Sequence, residues 1–291
     1  MELPLIVGID GSDSSLEAID WAVDEAARHG LPLRLVHASL WERYEGVRPA
    51  FARGRPAEEI MAQHIVASGV ERARLRDASV KTSGEVLPLD PVAALLRTGP
   101  EAFALVTGAR GRGQVTGLLL GSVSLSVAAR AVCPVVVIRG DEPGRREARG
   151  RIVVGVGAPD DGSGALRFAV REAEVRGGTL TAVRAWRAPE TEPVDPLPTA
   201  ADATPAREER ALTGLDDALR PLAHEHPGTE IRRLAVEGPA HRVLLDASAD
   251  ADLIVVGARR VHSHFGLQLG RVAHTLLHHS RCPVAVVPHP V

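Results

Sequence analysis

The chain has 291 residues, and apolar residues make up 45% of them, which is enough for two packed domains. The net charge of −3 and the aromatic content of 3% exclude a basic or aromatic surface for nucleic acid. No apolar run approaches the roughly 20 residues of a membrane span, and the first residues do not follow the pattern of a signal peptide. We therefore expect a cytoplasmic protein that binds neither nucleic acid nor membrane.

Short apolar runs alternate with longer helical patterns along the first half of the chain. Five runs predict buried strands, at residues 5–9, 33–38, 80–87, 104–107 and 135–138. Four segments between them predict helices. The first is 14–29, the second ends near residue 75, the third begins at residue 91 and the fourth begins at residue 122. Strands that are separated by helices form parallel, doubly wound sheets. The second half repeats this order, apart from a proline-rich insertion, Pro189–Pro205, that predicts a long loop.

The repeated pattern predicts a duplicated domain. Cys133 and Cys282 occupy equivalent positions, each before a proline and at the start of an apolar run. We therefore expect an α/β protein of two tandem domains, 1–140 and 151–291, each a five-stranded parallel doubly wound (Rossmann-like) sheet with helices on both faces. The polar segment 139–145, which contains Gly and Pro, is the expected linker. Both cysteines are expected to be buried at strand starts, without a disulfide.

The segment Val106–Gly111, followed nine residues later by Gly121 and Ser122, has the composition of a phosphate site. Its glycines let the backbone approach a ligand without a Cβ in the way. Ser122 begins a helical pattern, so its hydroxyl and the backbone N–H groups near it lie at a helix N-terminus, where an anion is stabilised.

A carboxylate is expected on the opposite side of the same crevice. In a sheet of this kind, ligands bind beyond the carboxyl ends of the strands where the strand order reverses. Asp10 follows the first strand, Gly108 ends the fourth, and Ala38 ends the second, where its backbone groups could face a base. Asp10 also suits a turn that caps the next helix, but its combination with the glycine loop favours a ligand such as ribose.

The spacing Gly108-x-x-Gly111, nine residues, Gly121-Ser122 resembles the ATP-binding signature of the universal stress protein family. Asp10 after the first strand and the Cys-Pro pair before the fifth strand fit the same family. The resemblance extends over both halves, so the chain is similar to a tandem pair of such domains.

The resemblance implies that the first domain binds an adenine nucleotide, ATP, with or without Mg²⁺. The residues implied to bind it are Asp10 and the backbone at Ala38, Thr107, Gly108, Gly111, Gly121, Ser122 and Val123. Arg110 and Arg112 belong to the same loop. For these two arginines contact with phosphate and simple solvation both stay open.

The second half departs from the signature in three places. Gly157, Arg260 and Arg271 stand where the first half has the carboxylate, the second loop glycine and the serine. These changes remove the partner for ribose and place long side chains where backbone would approach phosphate. We expect nucleotide only in the first domain, although two arginines could also hold an anion by themselves or reach into the partner domain.

Other catalytic and metal-binding patterns are weak in this sequence. His274 and His278 have the i, i+4 spacing of a helical metal-binding pair, but Thr275 replaces the glutamate of a metalloprotease and no third ligand is evident. We expect solvated histidines and no metal there. The chain has neither the Gly-x-Ser-x-Gly elbow of hydrolases nor the lysine-containing P-loop.

Taken with the resemblance, these residues predict an ATP-binding regulatory module of the stress response and not a fast enzyme. The alternatives are a slow ATPase or adenylate transferase, an interaction scaffold, and a binder of another adenine nucleotide such as cyclic AMP. The resemblance further implies that the two domains pair through their last strands, 135–138 and 284–287, and that chains form a homodimer.

Overall fold

A computed structural model describes residues 2–40, 57–111, 120–140, 149–157, 163–187, 200–258, 260–263 and 266–289. The chain divides into two compact units, Met1–Arg139 and Gly140–Val291. Most of the predicted linker, 139–145, lies outside the described residues. No helix in the described ranges combines the length and the apolar character that a bilayer crossing demands.

The described part of the first unit contains one parallel sheet with the strand order β3-β2-β1-β4-β5. Its strands are β1 (Leu5–Gly8), β2 (Leu33–Ala38), β3 (Thr82–Leu87), β4 (Ala104–Gly108) and β5 (Val135–Ile138). Its helices are α1 (Asp13–His29), α2 (Ala57–Arg76), α3 (Pro91–Thr98) and α4 (Ser122–Arg130). This is the predicted doubly wound fold.

Local signals in the sequence define where α1 begins and ends. Ser12 is its N-cap and accepts a hydrogen bond from the Ser15 N–H at 3.3 Å. Gly30 ends the helix with φ +67°, the left-handed conformation that favours glycine. Between these ends the side chains of Ile19 and Val23 are buried, as a helical period requires.

Helices cover both faces of this sheet. A Cβ on Gly8 would lie 2.9 Å from Leu95 of α3, whereas a Cβ on Gly108 would lie 2.5 Å from the Ser14 carbonyl oxygen of α1. Gly8 pairs in register with Thr107, and successive residues of a strand face opposite sides. Helix α3 therefore covers one face and α1 the other, with α4 beside α3 and α2 beside α1.

The second unit repeats the architecture with the strand order β12-β9-β6-β7-β8, also parallel. Its elements, in chain order, are β6 (Arg151–Gly155), α5 (Ser163–Val175), β7 (Thr179–Trp186), α6 (Ala200–Glu225), β8 (Glu230–Glu237), α7 (Ala240–Ala247), β9 (Leu253–Ala258), β10 (Arg260–Ser263), β11 (Gly266–Leu269), α8 (Arg271–His279) and β12 (Val284–Pro288). Strands β10 and β11 form an antiparallel hairpin that the sequence did not predict.

The predicted loop at Pro189–Pro205 is wrong at its carboxyl end, because α6 begins at Ala200 and includes Pro205. A proline removes one backbone hydrogen bond, but most of a helix's stability comes from an apolar face that packs on the core. Leu215 and Leu219 of α6 are buried on that face. Residues 188–199 lie outside the described ranges.

Both cysteines are buried and form no disulfide, which confirms the prediction. Burial raises the pKa of the Cys133 thiol to about 11 and that of the Cys282 thiol to about 12. Removing a thiolate from water disfavours the charged form, so neither thiol is reactive at neutral pH.

Native protein is expected to resist thiol labelling. At pH 8 a thiol with a pKa two units above its ordinary value has roughly 100-fold less thiolate. Labelling of the native chain with a chromogenic disulfide reagent should therefore be at least about 100-fold slower than labelling in denaturant. Rapid reaction of one thiol per native chain would contradict the burial.

Candidate functional site

The crevice in the first domain lies between β1 and β4. Strand β1 pairs with β2 on one side and with β4 on the other, and all three are parallel. The order of the strands therefore reverses between β1 and β4, which is where ligands bind in sheets of this type. Asp10 follows β1 and Gly111 follows β4, so the predicted residues are brought to this one edge.

Of the two roles that the sequence left open for Asp10, the structure contains the turn before α1. Its Oδ1 accepts hydrogen bonds from the Ser12 N–H at 3.0 Å and from the Ser12 hydroxyl at 2.6 Å. These bonds make a turn through Gly11, which has φ +80° and suits glycine for that reason. The other oxygen, Oδ2, lies 2.8 Å from the point that a Cβ on Gly111 would occupy. The carboxylate therefore faces the glycine loop.

The surroundings of the three loop glycines differ. A Cβ on Gly108 would lie 2.5 Å from the Ser14 carbonyl oxygen and 2.7 Å from its carbon, so this glycine lets β4 pack on α1. Among the described residues, a Cβ on Gly111 would meet only the Asp10 carboxylate. Within the same part of the chain, a Cβ on Gly121 would come no nearer than 3.5 Å to a heavy atom, which is an ordinary contact. Gly108 therefore has a structural reason in the packing of the fold, and its contact with a ligand stays a prediction.

Two serines that the sequence analysis missed hold the loop in place. The Ser14 hydroxyl accepts a hydrogen bond from the Arg110 N–H at 3.2 Å, and the Ser124 hydroxyl donates one to the Gly108 carbonyl at 2.7 Å. Each serine lies in the first turn of its helix, α1 or α4. Serines in the first turn of a helix that borders the crevice are the signal that could have identified them.

The N-terminus of α4 lies beside the glycine loop. Gly121 is the N-cap and has no side chain to cap the helix, and its own N–H donates to the Ala109 carbonyl at 2.7 Å. Ser122 is thus the first helical residue, as the sequence predicted, and the N-cap is Gly121 and not this serine. The first N–H groups of a helix have no partner within it, so those of Ser122 and Val123 are placed to bind an anion.

The remaining predicted residues surround these groups. Thr107 is buried, and its hydroxyl has no hydrogen-bond partner among the described residues. Ala38 is half-buried at the end of β2, in register with Leu87 of β3. Arg110 is exposed, whereas Arg112 lies outside the described residues. The crevice therefore offers a carboxylate acceptor on one side and backbone donors on the other.

The equivalent edge of the second domain is built differently. Gly157, which is exposed, stands in the place of Asp10, and α8 begins at Arg271 after an N-cap glycine. The hairpin of β10 and β11 occupies the chain between β9 and α8, where the first domain has its loop. The second domain thus lacks the carboxylate at this position.

The family model described as the universal stress protein family matches the chain twice, over residues 3–139 and 148–288. The chain belongs to the universal stress protein family. The two matches make it a tandem member, which confirms the resemblance seen in the sequence. Each match covers one domain of this universal stress protein.

Relatives of similar length match nearly the whole chain. The universal stress protein Rv2005c of Mycobacterium tuberculosis is 31% identical, over 97% of this chain and 96% of its own. The universal stress protein Rv2623 of the same organism is 30% identical, over 98% of this chain and 96% of its own.

Solved structures show the same fold. The crystal structure of a universal stress protein from Archaeoglobus fulgidus has a TM-score of 0.66 at 18% identity, and the match covers 99% of this chain and 96% of that one. Two shorter universal stress proteins, solved with dAMP and with cAMP, match 47% and 48% of this chain at 23% and 27% identity. Each match covers 98% of the shorter chain, with a TM-score of 0.36.

Alanine substitutions can distinguish a loop glycine that is required for packing from one that is not. Gly108→Ala should lower the free energy of unfolding by about 1–3 kcal/mol, because the new methyl group overlaps the backbone of Ser14. Gly121→Ala is the matched control and should lower it by only about 0.5–1 kcal/mol, because alanine is a poorer N-cap than glycine but its methyl group meets no close atom of the described residues. Urea unfolding followed by far-UV circular dichroism measures both. Equal stability of the two variants would contradict this assignment.

Proposed function

We propose that the first domain binds ATP in the crevice between β1 and β4, and that the protein is a nucleotide-binding regulatory module of the stress response. The arrangement of the Asp10 carboxylate opposite the N-terminus of α4 carries this proposal. A nucleotide has hydroxyl groups that donate to a carboxylate and phosphates that accept from backbone N–H groups. The two kinds of partner lie on opposite sides of this crevice.

Each group of the crevice has a specific role in this proposal. The Asp10 carboxylate accepts hydrogen bonds from the ribose hydroxyls, and the backbone of Ala38 faces the base. The N–H groups of Ser122 and Val123 bind phosphate oxygens, with the positive end of the α4 dipole behind them. Gly111 keeps the space between carboxylate and loop open, because a Cβ there would meet the Asp10 Oδ2.

The remaining groups complete the phosphate end of the site. The buried Thr107 hydroxyl and the backbone of Gly108 lie below the phosphates, and the Arg110 side chain reaches them from the surface. Mg²⁺, when bound with the nucleotide, would neutralise part of the phosphate charge. Only a slow hydrolysis of ATP is expected, because the chain supplies no general base that the sequence or the crevice identifies.

In this proposal ATP acts as a ligand and not as a consumed substrate. A ligand that binds only the folded state stabilises it by RT ln(1 + [L]/Kd), so the stabilisation grows with the logarithm of the ligand concentration above Kd. Binding in a cytoplasmic protein would thus report the nucleotide level through the stability of one conformation or assembly. Pairing of the two domains within the chain and a homodimer of chains belong to the same proposal.

Removing the charge of Asp10 should weaken nucleotide binding. Asp10→Asn keeps an oxygen for the Ser12 turn but loses the charge-assisted hydrogen bonds to ribose, so the Kd for ATP should rise about tenfold, or roughly 1.4 kcal/mol. Asp13→Asn, an exposed carboxylate at the start of α1, is the matched control and should leave the Kd within about twofold. Isothermal titration calorimetry measures both variants.

The same titrations identify the nucleotide and test the proposal. ATP is expected to bind more tightly than cyclic AMP, since only ATP presents a triphosphate to the N-terminus of α4. An unchanged Kd for Asp10→Asn would show that the carboxylate does not hold the ligand. Tighter binding of cyclic AMP would replace ATP with that nucleotide.

The number of nucleotides per chain tests the division between the domains. One ATP should bind per chain, because the second domain has Gly157 in place of the carboxylate and Arg271 at the start of α8. Equilibrium dialysis with labelled ATP measures the stoichiometry. Two tight sites per chain would refute the single site.

A further inference from the structure

Two half-buried side chains near the carboxyl end of β7, Arg184 and Trp186, each have a buried nitrogen without a partner among the described residues. Within the described residues, neither Nη1 of Arg184 nor Nε1 of Trp186 has a hydrogen-bond partner. Both groups only donate hydrogen bonds. The two residues are separated by one position on the strand, so their side chains leave the same face of the sheet. Buried donors nearly always have an acceptor, which indicates that one is missing here.

The first domain satisfies the equivalent position from within the protein. His37 in the first domain is equivalent to Arg184 in the second. Each follows the valine that pairs in register with the glycine at the end of the domain's first strand. Nδ1 of His37 lies 2.8 Å from the Ile9 carbonyl oxygen on the neighbouring strand. The second domain replaces this satisfied ring with a cation that has an unpaired nitrogen.

Helix α6 provides the space that this cation needs. A Cβ on Gly214 would collide with Nη1 of Arg184 and would lie 3.0 Å from its Cζ. A glycine within a 26-residue helix lowers helix stability relative to alanine, so its position opposite the guanidinium has a structural reason. The next residue, Leu215, is fully buried, which shows that this side of α6 packs on the sheet.

The acidic side chains of α6 and β8 do not supply the missing acceptor within the described residues. Asp216, which follows on α6, bonds to Arg233 of β8. Glu237 of β8 is in register with Trp186 and is exposed. Neither carboxylate forms a hydrogen bond with Nη1 of Arg184.

We propose that Arg184 and Trp186 form a binding site for a small anion, which we call the β7 anion site. The guanidinium presents donors in a planar fork that matches carboxylate or phosphate oxygens. The indole N–H adds a donor on the same face of the strand. The site belongs to the second domain and is independent of nucleotide binding by the first.

Anion binding can be measured on the full chain without nucleotide. Inorganic phosphate and acetate are titrated separately from 0 to about 10 mM, and chloride keeps the ionic strength constant. These anion concentrations are low enough to limit general salt effects. Wild-type protein should show a saturable change in tryptophan fluorescence and a rise in Tm of about 2–4 °C with at least one of them. A response to phosphate alone supports a phosphate ligand, and a response to acetate supports a carboxylate.

Substitutions separate this site from general stabilisation. Arg184→Met should abolish the response, whereas Arg232→Met, which removes an exposed arginine of β8, should leave it unchanged. Trp186→Phe keeps the ring but removes the donor, and should weaken binding about 3- to 10-fold. In chloride alone Arg184→Met should also raise Tm by about 2–4 °C, because it removes a half-buried charge whose buried Nη1 has no partner among the described residues.

Several results would overturn the β7 anion site. One is a fall in Tm for Arg184→Met in chloride, since this would mean that the protein itself supplies the missing acceptor. Another is the same anion response in Arg184→Met and in wild type, or no response of wild type to either anion. If Arg184→Met does not fold, Arg184→Lys keeps the charge without the fork, and an unweakened response in that variant would equally contradict the proposal.

Discussion

The close packing of β4 against the first turn of α1 is the constraint on which the candidate site depends. Gly108 leaves no space for a Cβ against the backbone of Ser14. At this distance the Ser14 hydroxyl reaches the Arg110 N–H, and the turn at Asp10 comes beside Gly111. The crevice therefore gains its geometry from the core of the domain. A site whose groups are held by packed helices and strands needs little reorganisation when a ligand binds.

The two domains show how one scaffold can present two different edges. Their sheets have the same order and direction of strands, and the packing of α3 and α7 on Gly8 and Gly155 is alike. The two domains differ at the carboxyl ends of their strands, where the second has the hairpin of β10 and β11 after β9 and Arg184 in place of a histidine. Function in such folds resides in the segments beyond the strands, so a duplicated domain can change its ligand without changing its core.

The sequence predicted the elements whose signals are local. Strand β2 has the predicted bounds, and Gly30 ends α1 as expected, because apolar periodicity and a glycine stop need no distant partner. The errors concern features that depend on the rest of the fold. Helix α6 continues through Pro205 because its apolar face packs on the sheet, and the hairpin of β10 and β11 has no strong local signal.

The sequence predicted which residues lie at the candidate site, but not the structural role of each one. Ser14 and Arg110 are 96 positions apart, so a hydrogen bond between them cannot be inferred from spacing. A glycine required by packing and a glycine that leaves room for a ligand look the same in a motif. The second domain separates them: it keeps a glycine at 257, the position equivalent to Gly108, but has an arginine at 260, equivalent to Gly111. Both domains keep the glycine at the position of Gly108, as packing alone would require. The glycine at the position of Gly111 is lost together with the carboxylate, as expected if both serve the same ligand.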